Sequence, residues 1–235
     1  MLQFISLSSG SSGNCYYFNH NGFGLLIDLG ISMRALKQHF SNYGLTLAQI
    51  QAALITHDHT DHVKGIGAFS TQFHVPVYTT QAVHQSIQRN HFVSKKIPTS
   101  LQQIVSPHES VDVGHFTDEM PQIVGQATHL IIESNYDVAM LAAGPYPIRL
   151  QNRISSPYGH ISNIETAEFL AKHLNRDLIQ RVWLCHLSAQ NNIPRIALET
   201  CTNVLTEAGF TLEGENANLV LQVLPRKTPT LLTEL

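Results

Sequence analysis

Six consecutive residues, His57-Asp58-His59-Thr60-Asp61-His62, concentrate the metal-binding chemistry of this sequence. Imidazole nitrogens combined with carboxylate oxygens suit zinc, manganese or iron. Side chains alternate along an extended segment, so His57 and His59 fall on the same side and can grip one cation. A turn directly after them lets Asp61 and His62 reach a second position nearby. Two divalent ions held this way would act as Lewis acids and lower the pKa of a shared water to give hydroxide at neutral pH. The cluster is internal, follows the apolar run Ile50 to Ile55 and precedes Val63-Lys64-Gly65-Ile66-Gly67. A solvated histidine loop has no need of that frame.

The elements that must position these residues read as alternating strands and helices. Leu2 to Leu7, the small residues Ser8 to Asn14, and Cys15 to Phe18 read as strand, tight turn and return strand. Asn19-His20-Asn21-Gly22 is a second turn, and Phe23 to Asp28 a buried strand. A helix fits Ser32 to Phe40, with Ser32 as its cap. The run before the histidines suits a central strand, followed by a helix around Val63 to Phe73, a strand Val75 to Thr79 and a helix Thr80 to Gln88. Arg89 to Gly114 shows little periodicity. Beyond it, Ala127 to Glu133 and Arg181 to Cys185 read as strands, Ile164 to Leu174 and Pro194 to Ala208 as helices, and Leu219 to Leu224 as a last strand. Such alternation predicts an α/β layered fold. No repeat or long linker divides the chain, so a single domain over residues 1–235 is expected.

Composition narrows the partners. Only 13% of residues are charged against the roughly 25% usual for soluble proteins, while the 14 histidines equal all lysines and arginines together. A net charge of -3 excludes the broad basic face of a sequence-indifferent nucleic-acid binder, so a polyanion would need a local site. Cys15, Cys185 and Cys201 are odd in number, far apart and without CxxC, which argues against a disulfide framework or a cysteine zinc site. The first residues lack a basic, then apolar, leader pattern, and no apolar run approaches the ~18 residues of a membrane span. The expectation is a cytoplasmic protein without membrane insertion.

Thr56 to His62, together with Leu26-Ile27-Asp28-Leu29-Gly30, resembles the metallo-β-lactamase superfamily. Its αββα sandwich, two mixed sheets flanked by helices, holds one or two metals at strand ends. Three further pieces narrow the resemblance: Ser6-Leu7-Ser8-Ser9-Gly10-Ser11-Ser12-Gly13-Asn14-Cys15; Gly144-Pro145-Tyr146-Pro147 leading to Gly159-His160-Ile161-Ser162-Asn163; and Cys185-His186-Leu187-Ser188-Ala189-Gln190-Asn191-Asn192. Together they are similar to the YycJ (WalJ) group, regarded as 5′-to-3′ exonucleases. The resemblance implies one or two divalent ions (Zn, Mn or Fe), with His57 and His59 on the first metal and Asp61, His62 and His186 on the second. Glu133 and His160 match an acid and a histidine that serve proton transfer to the leaving group. A nucleic acid substrate, DNA foremost, follows. Asn14 and Ser12 on the early hairpin, with Arg153 and also Lys64 and Arg149, are candidates for holding phosphate. A thioester or lactone hydrolase on the same fold stays open, as does a regulatory binding module without catalysis.

One part of the family pattern is broken. A third first-metal histidine in a Pro-x-x-His-Asp segment and a bridging aspartate in a Thr-Asp-Leu-Gly turn belong where this chain passes from Ser106-Pro107-His108-Glu109-Ser110-Val111-Asp112-Val113-Gly114 straight to His115-Phe116. Either this sequence leaves out a stretch of the protein between 114 and 115, or the protein has lost it. In the second case His108 or His115 would substitute for the histidine and Asp112 for the bridge. Deleting two strands would uncover apolar faces and unpaired edges, which favours omission.

Overall fold

A computed structural model describes residues 1–105, 116, 119–157, 159–214 and 217–235. The chain divides into two compact units, Met1–Val111 with Pro225–Leu235, and Asp112–Leu224. His108, Asp112 and His115 lie outside the described residues.

The first unit is built on a seven-stranded mixed sheet in the order β10-β1-β2-β3-β4-β5-β6. Strands β1 (Leu2–Gly10) and β2 (Gly13–His20) form the expected hairpin, longer than the sequence suggests: Gly10 pairs with Gly13, leaving only Ser11 and Ser12 at the tip. Asn21 and Gly22, both left-handed at φ 51° and 86°, make the tight turn into β3 (Phe23–Ile27). From β3 the sheet continues in parallel through β4 (Ile50–Leu54), β5 (Val77–Thr79) and β6 (Gln102–Ile104). At the other edge the short β10 (Thr233–Glu234) runs antiparallel to β1.

Helix α1 (Met33–Asn42) starts at Ser32, whose side chain accepts from the Ala35 N–H, and buries Leu36 and Phe40. The helix expected over Val63 to Phe73 is broken into α2 (Thr60–Val63) and α3 (Ile66–Phe73). The break has a local cause: the Gly65 N–H leaves the helical ladder to bond the Leu29 carbonyl at 2.8 Å. Helix α4 (Gln81–Arg89) is capped by Thr80. Tyr17, Phe40, Phe69 and Leu26 anchor the core beneath these helices. Strand β6 escapes sequence reading because it is short and lies on the sheet edge, with Ile104 62% and Val105 42% exposed.

In the second unit the described strands β7 (His129–Glu133), β8 (Arg181–Cys185) and β9 (Val220–Val223) are all parallel, in that order. The mixed character expected of both sheets therefore holds for the first, while this one is parallel among the described residues. Five helices accompany it: α5 (Met120–Val124), α6 (Val138–Ala143), α7 (Ile148–Ile154), α8 (Asn163–His173) and α9 (Pro194–Glu207). Ser162 and Glu165 form a reciprocal capping box at the start of α8. Leu170, Val182, Leu184, Ala197 and Leu205 fill the core. Helices α5 to α7 are too short and too punctuated by Gly and Pro to show periodicity in the sequence. Among the described residues no helix is long and apolar enough to cross a membrane.

Candidate metal centre and proton-transfer pair

In the first unit the chain turns sharply where β3 ends. Asp28 takes a left-handed conformation (φ 58°), and its N–H reaches the Leu54 carbonyl at the end of β4. Its buried carboxylate accepts from the Thr56 N–H at 2.9 Å, the Thr56 hydroxyl at 2.8 Å and His62 Nδ1 at 2.7 Å. A carboxylate only accepts, so Nδ1 carries the proton and Nε2 keeps its lone pair. Asn14 Nδ2 stands 3.0 Å from that Nε2, donates to Asp61 Oδ2 at 3.2 Å, and is anchored on the Gly10 carbonyl at 3.1 Å. Asp61 Oδ2 lies 3.6 Å from His62 Nε2.

The His57 ring centroid is 4.7 Å from that of His59 and 3.8 Å from that of His62. His57 thus packs against His59 and His62, and Asp61 lies beside His62, although β4 stops at Leu54 and His59 is the cap residue of α2. Gly30 is required beneath them: a β-carbon there would overlap the Asp61 carbonyl. The donor set fits a divalent cation. It consists of imidazoles and a carboxylate, and His62 is held in the metal-binding tautomer by a carboxylate behind it. Asp58 faces elsewhere, its carboxylate accepting from the Ser86 hydroxyl on α4 and its carbonyl from Asn90 Nδ2 at 3.5 Å.

The second unit assembles the remaining candidates at the ends of adjacent parallel strands, where Glu133 pairs with Cys185. One Glu133 oxygen, Oε1, accepts from His160 Nδ1 at 2.8 Å and from His186 Nδ1 at 2.7 Å. The other, Oε2, accepts from the Ile161 N–H at 3.3 Å. Burial pushes the Glu133 carboxyl up, but the hydrogen bonds from His160 and His186 outweigh it and hold the group well below the usual carboxylate range. Glu133 therefore stays ionised and directs Nε2 of both rings away from itself. Like Asp28, His186 follows a strand in a left-handed conformation (φ 55°), and Asn135 Nδ2 fixes its carbonyl at 2.8 Å. One ligand atom from each of Glu133, His160 and His186 lies within 4.8 Å of the others.

Sequence reading pairs Glu133 with His160 alone; the structure adds His186 to the same carboxylate. It also makes Asp28, Asn14 and Asn135 the residues that orient the candidate ligands. Of these, Asn14 is expected on a phosphate-binding rim, yet it is fully buried and serves Asp61 and His62. Ser12 is exposed at the hairpin tip, Lys64 is exposed after α2, and Arg149 and Arg153 are exposed on α7. The Asp28 signal is present in the sequence, as an acid closing a strand just before a glycine, but its partner is legible only in three dimensions.

Residues 9–131 match the metallo-beta-lactamase superfamily, and the chain belongs to that family. Within it the chain is of the YycJ type, a hydrolase. It is 30% identical to "Exodeoxyribonuclease YycJ" of Bacillus anthracis, over 89% of this chain and 91% of that protein. "Exodeoxyribonuclease WalJ" of Streptococcus pneumoniae is 28% identical over 88% and 89% of the two chains. The first alignment runs over 244 positions yet takes in 89% of 235 residues, so roughly 35 of its positions have no counterpart here. Among solved structures, the metallo-beta-lactamase fold protein YhfI from Bacillus subtilis superposes with a TM-score of 0.65 at 13% identity, over 98% and 99% of the chains. A diphosphatase from the PhnP family gives 0.63 at 12% identity, over 100% and 99%. These two share the fold.

Proposed function

We propose that this protein is a metal-dependent phosphodiesterase, a nuclease that removes nucleotides from DNA in the 5′-to-3′ direction. The observation that carries the reading is the ionised Glu133 holding His160 by Nδ1. Expelling an alkoxide from a phosphodiester is helped by a proton delivered as the bond breaks. A thioester releases a thiolate, whose conjugate acid has a pKa near that of cysteine at about 8.5 and needs no such help. The pair therefore favours the phosphodiester over the thioester. The names of the two curated relatives support the same choice.

Bound divalent cations would supply Lewis acidity and activation of water. The first unit offers His57, His59, Asp61 and His62 as ligands, and the second unit offers His186. Asp28 and Asn14 keep His62 and Asp61 in place; Glu133 keeps His186 and His160 in place; His160 delivers the proton from Nε2. The test is a metal-supplemented assay on 5′-labelled single- and double-stranded DNA beside His59→Ala. Stepwise loss from one end, abolished in the variant, is expected. Cleavage of a thioester alone would overturn the reading, and absence of metal uptake on elemental analysis would favour the binding module.

We further propose one domain over residues 1–235, completed by a stretch between Gly114 and His115 that this sequence leaves out. Support comes from the exposed apolar residues Ile104 and Val105, nine to ten residues before Gly114, and from the unmatched positions in the alignment. Intact mass of the protein purified from its source organism should exceed 26.1 kDa by a few kDa. A mass of 26.1 kDa would sink this idea and leave His108, Asp112 and His115 as the substitutes to mutate.

A further inference from the structure

We infer that helix α7 is a binding strip for the substrate strand, on which Arg149 and Arg153 hold the sugar-phosphate backbone of a single-stranded nucleic acid next to the bond being cut. The inference rests on the phosphodiesterase reading and adds to it the form of the substrate. Residues 138–164 contain no Asp or Glu, in a protein whose net charge is -3, and the two arginines stand inside that stretch. With its histidine neutral, the stretch carries a formal charge of +2 in a chain whose net charge is negative. None of the seven residues of α7 is buried, and Ile148 is 69% exposed.

A single short helix with no fully buried residue is unstable by itself, and α7 is held by hydrogen bonds to the segments on either side. Gln151 Nε2 donates to the Tyr146 carbonyl at 2.9 Å, and the His160 N–H donates to the Ile154 carbonyl at 2.7 Å. Gly159 lets the chain turn this tightly, since a β-carbon there would overlap the carbonyls of Arg153 and Ile154. The exposed helix is thus tied by one hydrogen bond to the backbone of the histidine proposed to deliver the proton. Arg149 and Arg153, four residues apart, project from one face about 6 Å apart along the axis. That is the reach of one backbone step in an extended single strand. A compact small diester would gain little from such a strip; an oligonucleotide would gain two charge-assisted phosphate contacts.

The test compares wild type with Arg149→Ala/Arg153→Ala on two substrates, 5′-phosphorylated oligothymidylate and bis(4-nitrophenyl) phosphate. It is paired with fluorescence anisotropy of the same oligonucleotide between about 50 and 200 mM salt. The expected result is at least a tenfold fall in kcat/KM for the oligonucleotide relative to that for the small diester. The slope of log affinity against log salt should drop by roughly 0.7 for each arginine removed. Arg149→Lys/Arg153→Lys, which keeps the charges, should retain the salt slope and shows that the loss is electrostatic and not a collapse of α7. If the alanine variant keeps both the substrate ratio and the salt slope of a wild type that degrades the oligonucleotide, the strip is wrong and the phosphodiesterase reading stands. If wild type cleaves neither diester, the reading fails and the strip falls with it.

Discussion

A carboxylate that accepts two imidazole N–H bonds, at 2.7 and 2.8 Å, is poorly placed to be the proton donor itself. That suits Glu133 to orientation, with the proposed proton delivery falling to His160. Glu133→Gln keeps the shape but weakens the charge-assisted hydrogen bond that orients His160, so kcat should fall by about 10²-fold with a smaller change in KM, measured by steady-state kinetics. The same network acts on stability. Because the Glu133 carboxyl is lowered on folding, its contribution is present above the ordinary glutamic acid range and is lost as pH falls through and below it. In a urea titration series the Gln variant should show a flatter decline between neutral and acid pH. At the other unit, Asp28→Asn tolerates the left-handed backbone but weakens the hold on His62. Zinc affinity by calorimetry should drop about 10- to 100-fold while the apo protein stays folded. The candidate ligands at 57–62 stand out in the sequence because their spacing is local. What Asp28 and Glu133 touch does not, because Asp28 meets His62, and Glu133 meets His186, across segments that only folding makes adjacent.

At the scale of elements, the sequence was read best where one residue type decides the outcome. Ser32 and Thr80 start helices, Asn21-Gly22 turns a hairpin, and Arg181 to Cys185 is the predicted strand to the residue. It was read worst where a distant backbone group intervenes, as where Leu29 captures the Gly65 N–H and splits the helix over 63–73. Helix α3 ends on exposed His74 in a left-handed conformation (φ 56°). His74→Gly should therefore raise stability by about 1 kcal/mol in chemical denaturation. Strand β8 and helix α9 also set cysteine chemistry. Burial pushes the Cys201 thiol up to about 12 and raises Cys15 well above its usual value, while Cys185 is only partly covered. Iodoacetamide near pH 8 should label Cys185 in the native protein, and Cys15 and Cys201 only after unfolding, as read by peptide mapping.

For the whole molecule, the low charge and high histidine content now describe one economy. A chain of low net charge would draw its positive charge for a substrate from bound cations and from the arginines of α7. Five of the 14 histidines, His57, His59, His62, His160 and His186, carry the proposed chemistry. Since cations bind the folded arrangement and not the scattered side chains of the unfolded chain, removing them should lower Tm. Zinc at about 100 times its Kd should restore roughly 2.7 kcal/mol. Differential scanning calorimetry with and without chelator checks this, and an unchanged Tm would count against a resident metal.

Four non-glycine residues among those described adopt positive φ: Asn21, Asp28, His74 and His186. To an engineer seeking a sturdier protein they form one class, the first positions to relieve with glycine. Two of them belong to a turn and a helix end, where such a change costs nothing chemical. The other two each follow a parallel strand and hold or serve as a candidate ligand. A design rule blind to that difference would gain thermostability at 21 or 74 and yield a silent protein at 28 or 186. Where the backbone is least comfortable, it separates what this molecule can trade for stability from what it must keep.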